Sequence, residues 1–120
     1  MNKIVMGAAF YARTWENVDS TNHGLYKAGT FRHFISYRQF TTRLREEDGF
    51  VFYRDTIAKA PYAYNSQTST YATFDDPVSI AEKTRYALQN GLKGIMFWEL
   101  SLDRTDDGLL NVIDSIKNKN

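Results

Sequence analysis

The sequence predicts a partial α/β unit, strand–helix–strand–helix, with a small α+β domain inserted after its first strand. Three observations carry this reading. Two short apolar runs, Lys3–Tyr11 and Lys93–Leu100, lack clean polar alternation, as strands covered on both faces do. The second run follows a capped amphipathic helix and precedes another helix. Between the runs lies an aromatic-rich stretch of short β-prone segments and one helix, broken by turn residues.

In chain order, Lys3–Tyr11 is the first buried strand, and Gly7 within it predicts a close backbone approach. "ENVDSTNHGLYKAGT" (16–30) is a polar loop. "ISYRQFTTRLRE" (35–46) is a helix with Ser36 as N-cap, and "EDG" ends it. "FVFYRDT", "APYAYN" and "STYATF" are three short strands separated by turns. "DDPVSIAEKTRYALQN" has Asp75-Asp76 as its cap, with Asp76 at the N-cap, Pro77 at the first helical position and Asn90-Gly91 as its stop. Ile80, Thr84, Ala87 and Leu88 form its inward stripe. After the strand Lys93–Leu100, Asp106 and Asp107 start a last helix with Leu109, Leu110, Ile113 and Ile116 on its apolar side. The expected division is 1–13 and 73–120 for the partial α/β unit and 14–72 for the insert. A parallel pair with two open edges reads as a piece of a larger sheet or barrel. The abrupt start at Met1, directly into a strand, reads as a truncated frame.

Composition narrows the function. The 120 residues carry a formal net charge of +1, which gives no electrostatic case for nucleic acid or an anionic membrane. The apolar runs fall below the ~18 residues of a membrane span. Cysteine is absent, which excludes a disulfide, a thiolate metal site and a cysteine nucleophile without fixing the compartment. His23 and His33 have no second ligand at metal spacing and read as solvent-facing. Aromatic residues make up 15%. They read either as core packing, including Phe50, Phe52, Tyr62 and Tyr64, or as a surface that stacks on flat ligands.

"VMGAAFYART" resembles the seventh barrel strand of glycoside hydrolase family 18, the chitinase family, whose common form ends in Phe-Tyr-Gly-Arg. "YATFDDPVSIAEKTRYALQNGLKGIMFWELSLD" resembles that family's run into its eighth strand, and "ISYRQF…YRDTIAKAPYAYN" resembles its insertion domain. The resemblance implies two strand–helix units of an eight-stranded β/α (TIM) barrel carrying the inserted α+β domain, an antiparallel sheet plus helix. A whole barrel needs ~250 residues. It also implies retaining hydrolysis of β-1,4-linked N-acetylglucosamine, with the substrate's N-acetyl oxygen as nucleophile. No metal or organic cofactor is required. The family's acid motif, Asp-x-x-Asp-x-Asp-x-Glu, does not occur in this sequence, so no catalytic residue is expected in this chain.

Four residues carry over as substrate-binding candidates. Trp98, otherwise an ordinary core tryptophan, becomes the floor of the subsite beside the cleaved bond, its indole face against the apolar face of a pyranose. Tyr11 and Arg13 are two apart and share a face of an extended segment. Ala12 stands between them where the family usually has glycine. The other reading of Arg13 is a salt bridge within the insert. Gln39 falls where many members carry glutamate in Tyr-Tyr-Glu; otherwise it is a solvated helix residue. Alternation places Trp98 with Met96 on one strand face and Glu99 with Phe97 on the other, so Glu99 is not the acid.

The expected partners are an N-acetylglucosamine-containing oligosaccharide or polysaccharide and the remainder of a barrel, with no nucleic acid and no membrane. The open strand pair predicts self-association or partial disorder near residues 1–13. The resemblance implies export to the periplasm, the cell surface or the medium. A second reading is a non-catalytic, lectin-like carbohydrate-binding module, and a third is an interaction scaffold without a sugar ligand.

Overall fold

The computed structural model describes residues 3–118. Its elements are β1 (Val5–Ala9), β2 (Tyr11–Glu16), β3 (Thr30–Ser36), α1 (Phe40–Arg43), β4 (Phe50–Asp55), β5 (Ala60–Asn65), β6 (Thr70–Phe74), α2 (Pro77–Gln89), β7 (Gly94–Trp98) and α3 (Leu109–Lys117). Strands β1 and β7 pair in parallel, Val5 opposite Gly94 through Ala9 opposite Trp98. The other strands form one antiparallel five-stranded sheet in the order β3-β2-β6-β5-β4. The predicted strand–helix–strand–helix unit with an antiparallel insert is therefore what the chain forms. No helix among the described residues is long and apolar enough to cross a membrane.

Each unit has its own core. One face of the parallel pair sends Ala8, Ile95 and Phe97 against Ile80 of α2 and Leu109 and Ile113 of α3. The opposite face, with Met96 and Trp98, is open. One face of the antiparallel sheet buries Ala12, Ile35, Phe50, Ala63 and Ala72 against Phe40 and Leu44. The helix α2 starts as its sequence dictates: the Asp76 carboxylate accepts from Ser79 N–H, and Ser79 Oγ accepts from Asp76 N–H, both at 2.9 Å.

Several local expectations change. The first strand stops at Ala9, the chain bends at Phe10, and Tyr11 already belongs to the insert's sheet. The helix expected over 35–46 shrinks to α1 and a preceding single turn, because Ile35 and Ser36 belong to β3, with Ile35 buried in the sheet core. Ser36 caps no backbone; its Oγ donates to Gln39 Oε1. A Cβ on Gly7 would meet nothing within 4 Å, so no close approach requires that glycine. Leu88 is exposed while Ile80, Thr84 and Ala87 are buried, since eight residues at ~100° each rotate it off the stripe. Asp103, not Asp106 or Asp107, caps α3: its carboxylate accepts from Leu109 N–H and Leu110 N–H at 2.8 and 2.9 Å. The expected disorder near residues 1–13 falls partly on residues 1–2, outside the described residues, while residues 5–9 are paired along β1.

Candidate functional site

Three segments meet at Phe10. Its N–H donates to the Trp98 carbonyl at 3.0 Å, and its carbonyl accepts from Tyr37 N–H at 2.9 Å. Its ring is fully buried and stacks on Phe97 with centroids 4.8 Å apart. This one residue fixes the end of β7, the start of β2 and the turn that carries Gln39. It needs no polar side chain to do so, since its backbone bonds and its ring serve different neighbours.

Trp98 is 64% exposed and shares the open face of β7 with Met96. The alternative of a buried core tryptophan is therefore corrected: Ile95 and Phe97 fill the core instead. β7 ends at Trp98, and the Trp98–Glu99 peptide bond is cis. Because β7 stops at Trp98, strand alternation does not reach Glu99, whose carboxylate accepts a hydrogen bond from Ser101 Oγ.

Tyr11 and Arg13 do share a face of β2. Between them the fully buried Ala12 points into the sheet core, so its methyl packs away from both. Tyr11 meets the edge of Phe34 at 5.5 Å, and the Arg13 guanidinium lies over Phe34 at 5.2 Å and Phe31 at 5.9 Å. No described residue forms an ion pair with Arg13, so the salt-bridge alternative is corrected. Tyr11 and Arg13 line an open cleft of about 960 Å³ between the sheet and α2, with Met6, Thr73, Lys83 and Tyr86. Trp98 and Gln39 lie outside that cleft. Gln39 is half-buried and engaged within its own turn, its Oε1 accepting from Ser36 Oγ at 3.0 Å and Arg43 Nη1 at 3.2 Å.

Sequence reasoning missed an ion pair at the junction of β6 and α2, which ties α2 to the outer edge of β1. The buried Asp75 accepts from Ala9 N–H at 2.9 Å, Ser79 Oγ at 2.7 Å and Lys83 Nζ at 2.6 Å. Lys83 Nζ also donates to the Gly7 carbonyl at 3.0 Å. Asp75 was expected only to cap a helix. The i, i+8 spacing of Asp75 and Lys83 is no local pairing signal, because both ends must first reach β1. Arg54–Asp76 and Lys59–Glu82 further fasten β4 and the β4–β5 turn to α2.

The two histidines differ: His23 is exposed as expected, while His33 is half-buried. His33 Nδ1 lies 2.8 Å from Thr14 Oγ1, whose hydroxyl donates to the His33 carbonyl at 2.9 Å. That assignment makes Nδ1 the donor. Burial pushes the His33 pKa down, and the Arg43 and Arg32 charges add to this. The His23 ring stacks on Tyr53 at 4.0 Å. Phe50, Tyr62 and Tyr64 are buried as expected, whereas Phe52 is exposed. Among the described residues, no three His, Asp or Glu side chains come together as a metal site.

Comparison with known proteins agrees with this architecture. Residues 1–103 match the model of glycosyl hydrolases family 18. The chain is 32% identical over 114 residues to Chitinase A1 of Niallia circulans, covering 85% of this chain and 16% of that protein. The solved chitinase ChiA74 of Bacillus thuringiensis superimposes with a TM-score of 0.88 at 30% identity, over 96% of this chain and 23% of that one. A family 18 N-acetylglucosaminidase of Paenibacillus barengoltzii gives 0.81 at 38% identity, over 93% and 33%. The chain thus spans a third or less of the length of each of these relatives. On this match, and on the parallel pair with its antiparallel insert, the chain belongs to glycosyl hydrolases family 18, as a part of that family's barrel fold.

Proposed function

We propose that this chain supplies the wall and part of the floor of a sugar groove in a chitinase-like enzyme acting on β-1,4-linked N-acetylglucosamine polymers. One observation carries the reading: Trp98 stands exposed at the end of a barrel strand, hydrogen-bonded through its carbonyl to the residue that launches Tyr11 and Arg13. Substrate-binding sites of β/α barrels are built at the carboxyl ends of the strands. The indole face takes the apolar face of a pyranose, and the Tyr11 hydroxyl and Arg13 guanidinium donate to its hydroxyl and carbonyl oxygens. Gln39 serves the same wall through its amide nitrogen, which its turn leaves free while Oε1 is engaged.

The reaction is substrate-assisted. The N-acetyl oxygen attacks the anomeric carbon as the glycosidic C–O bond breaks. Water then opens the cyclic intermediate with retention. The leaving oxygen takes its proton from a carboxylic acid outside these 120 residues, so this chain alone binds without turnover. The joints between barrel part and insert fall at Phe10 and Asp75, where β1 gives way to β2 and β6 to α2.

Titrating N-acetylglucosamine oligomers into the folded chain while following tryptophan fluorescence tests the reading. Trp98→Ala leaves Trp15 as a reporter and should lose both binding and most of the response. A flat titration of the folded wild type overturns the proposal, and turnover by the chain above the Trp98→Ala control overturns the assignment of the acid elsewhere.

A further inference from the structure

We infer that Phe31 and Phe34, with Arg13 laid over them, form an additional sugar-stacking platform that extends the groove beyond Tyr11 and takes a further ring of the same N-acetylglucosamine chain. The inference rests on the reading of Trp98 and Tyr11 as sugar ligands.

The platform depends on a bulge. Phe31 and Phe34 are three apart, which in an unbroken strand puts them on opposite faces. The pairing of β2 with β3 shifts register between Thr14 and Trp15, so that Thr14 faces His33 while Trp15 faces Phe31. Arg32 is the extra residue. The shift turns both phenylalanines onto the face of Arg13, with ring centroids 5.2 Å apart. Bulges that re-aim side chains are over-represented beside active sites.

Neither ring is spent on the core. Phe31 is 46% exposed and Phe34 is 51% exposed, on a strand at the edge of the sheet. Exposed apolar rings on an edge strand invite unwanted pairing unless a ligand uses them. Arg13 supplies the polar half of the surface. Its cation is held by the two rings, and among the described residues it has no hydrogen-bonding partner, so its N–H groups face outward. An apolar ring face beside free donors suits a pyranose, whose C–H face and hydroxyl rim present the same two chemistries. Continuity with the groove comes from Tyr11, whose ring meets the edge of Phe34. The surface therefore continues from Tyr11 to Phe34 and Phe31 along the direction of β2.

The experiment compares a short and a long ligand. The N-acetylglucosamine dimer and hexamer are titrated calorimetrically into the wild-type chain and into Phe31→Ala, Phe34→Ala, Phe34→Trp and Trp98→Ala. Each Phe→Ala change should weaken the hexamer about threefold to tenfold and leave the dimer within about twofold. Phe34→Trp should hold or tighten hexamer binding. Equal losses on both lengths, or no loss on the hexamer, overturn the platform. If the dimer binds in a Trp98-dependent way while the phenylalanine variants match wild type, the groove reading stands and only the platform fails. If Trp98→Ala changes neither ligand, the groove reading fails and takes the platform's stated register with it. Unchanged far-ultraviolet circular dichroism establishes that each variant is folded.

Discussion

Asp75→Ala should be among the most damaging single changes outside the apolar cores. Three donors converge on this carboxylate: a strand amide, a helix hydroxyl and an ammonium. The outward groups of Gly7 and Ala9 lie on the same edge of β1, two residues apart. Asp75 accepts from one and Lys83 donates to the other. The ion pair therefore does for this edge what a neighbouring strand would do. Removing the carboxylate leaves the Ala9 N–H without its acceptor, a loss of about 1–3 kcal/mol. It also strands the Lys83 ammonium. That side chain is one-third exposed, so its loss lies toward the surface range of about 1 kcal/mol. Together these give about 3 kcal/mol. At a urea m-value of about 1.5 kcal/mol/M, the midpoint falls by about 2 M. Lys83→Met alone should cost about 1 kcal/mol. In the Asp75→Ala background it should cost close to nothing, since the pair is already broken. The assay is urea unfolding followed by circular dichroism on the four members of the cycle. An Asp75→Ala shift within about 0.5 kcal/mol of wild type, or an unchanged Lys83→Met cost in both backgrounds, would refute the edge-capping argument.

Four further outcomes follow from the same geometry. Phe10→Ala empties a fully buried ring site and should cost about 3–5 kcal/mol, while Phe34→Ala stays within about 0.5 kcal/mol; chemical denaturation compares them. Gly108→Ala places a methyl 2.5 Å from both the Arg104 carbonyl and Asp103 Oδ1, so it should dislodge the α3 cap at about 1–3 kcal/mol, read as a lower urea midpoint. His33 sits below its ordinary value of 6.5, chiefly through burial. As pH falls through 6.5 the unfolded chain binds the proton first, so stability present above that pH is lost toward the folded value. His33→Gln should flatten that slope, and an equally steep slope in the variant would contradict it. The two-stranded sheet leaves part of its edges unpaired, so the 120-residue chain should self-associate, and a clean monomer in light scattering speaks against this.

What was legible in the sequence depended on locality. Asp76, Pro77 and Ser79 announce α2 because a cap and a first turn lie within four residues of each other. The strand runs around Ala8 and Phe97 announce themselves because they are apolar without polar alternation, although this chain covers only one of their faces. By contrast, β3 was hidden. Ile35 and Ser36 read as a helix start because a serine beside an apolar residue satisfies the local rule, yet burial of Ile35 against Ala12 and Ala72 decides the outcome. Leu88 shows the limit of a stripe drawn by spacing alone. Of the site candidates, Tyr11 and Arg13 share a face because they lie two apart along β2. The exposure of Trp98 has no signature in "GIMFWEL", since Ile95, Met96, Phe97 and Trp98 are equally apolar by composition. Which of them faces the core is set by α2 and α3, which lie elsewhere in the chain.

Two kinds of exposed aromatic in this molecule have different physical origins. Trp98 is exposed because β7 turns one face to α2 and α3 and the other outward, so any residue at its position would be open. Phe31 and Phe34 are exposed because a register shift in β2–β3 pairing turns them to a face whose centre Arg13 occupies. The first is a property of the barrel layer and the second of the insert. Phe10 links the two layers by one donated and one accepted backbone hydrogen bond. Asp75 and Lys83 hold the neighbouring edge of β1 while Phe10 holds the inner one. A rotation of the insert about this joint would move Tyr11 and Phe34 together and leave Trp98 in place. Changes at Asp75 should therefore alter the binding of long oligomers before that of short ones, even though Asp75 touches none of the rings. That ordering separates a joint that positions the wall from one that only keeps the chain folded.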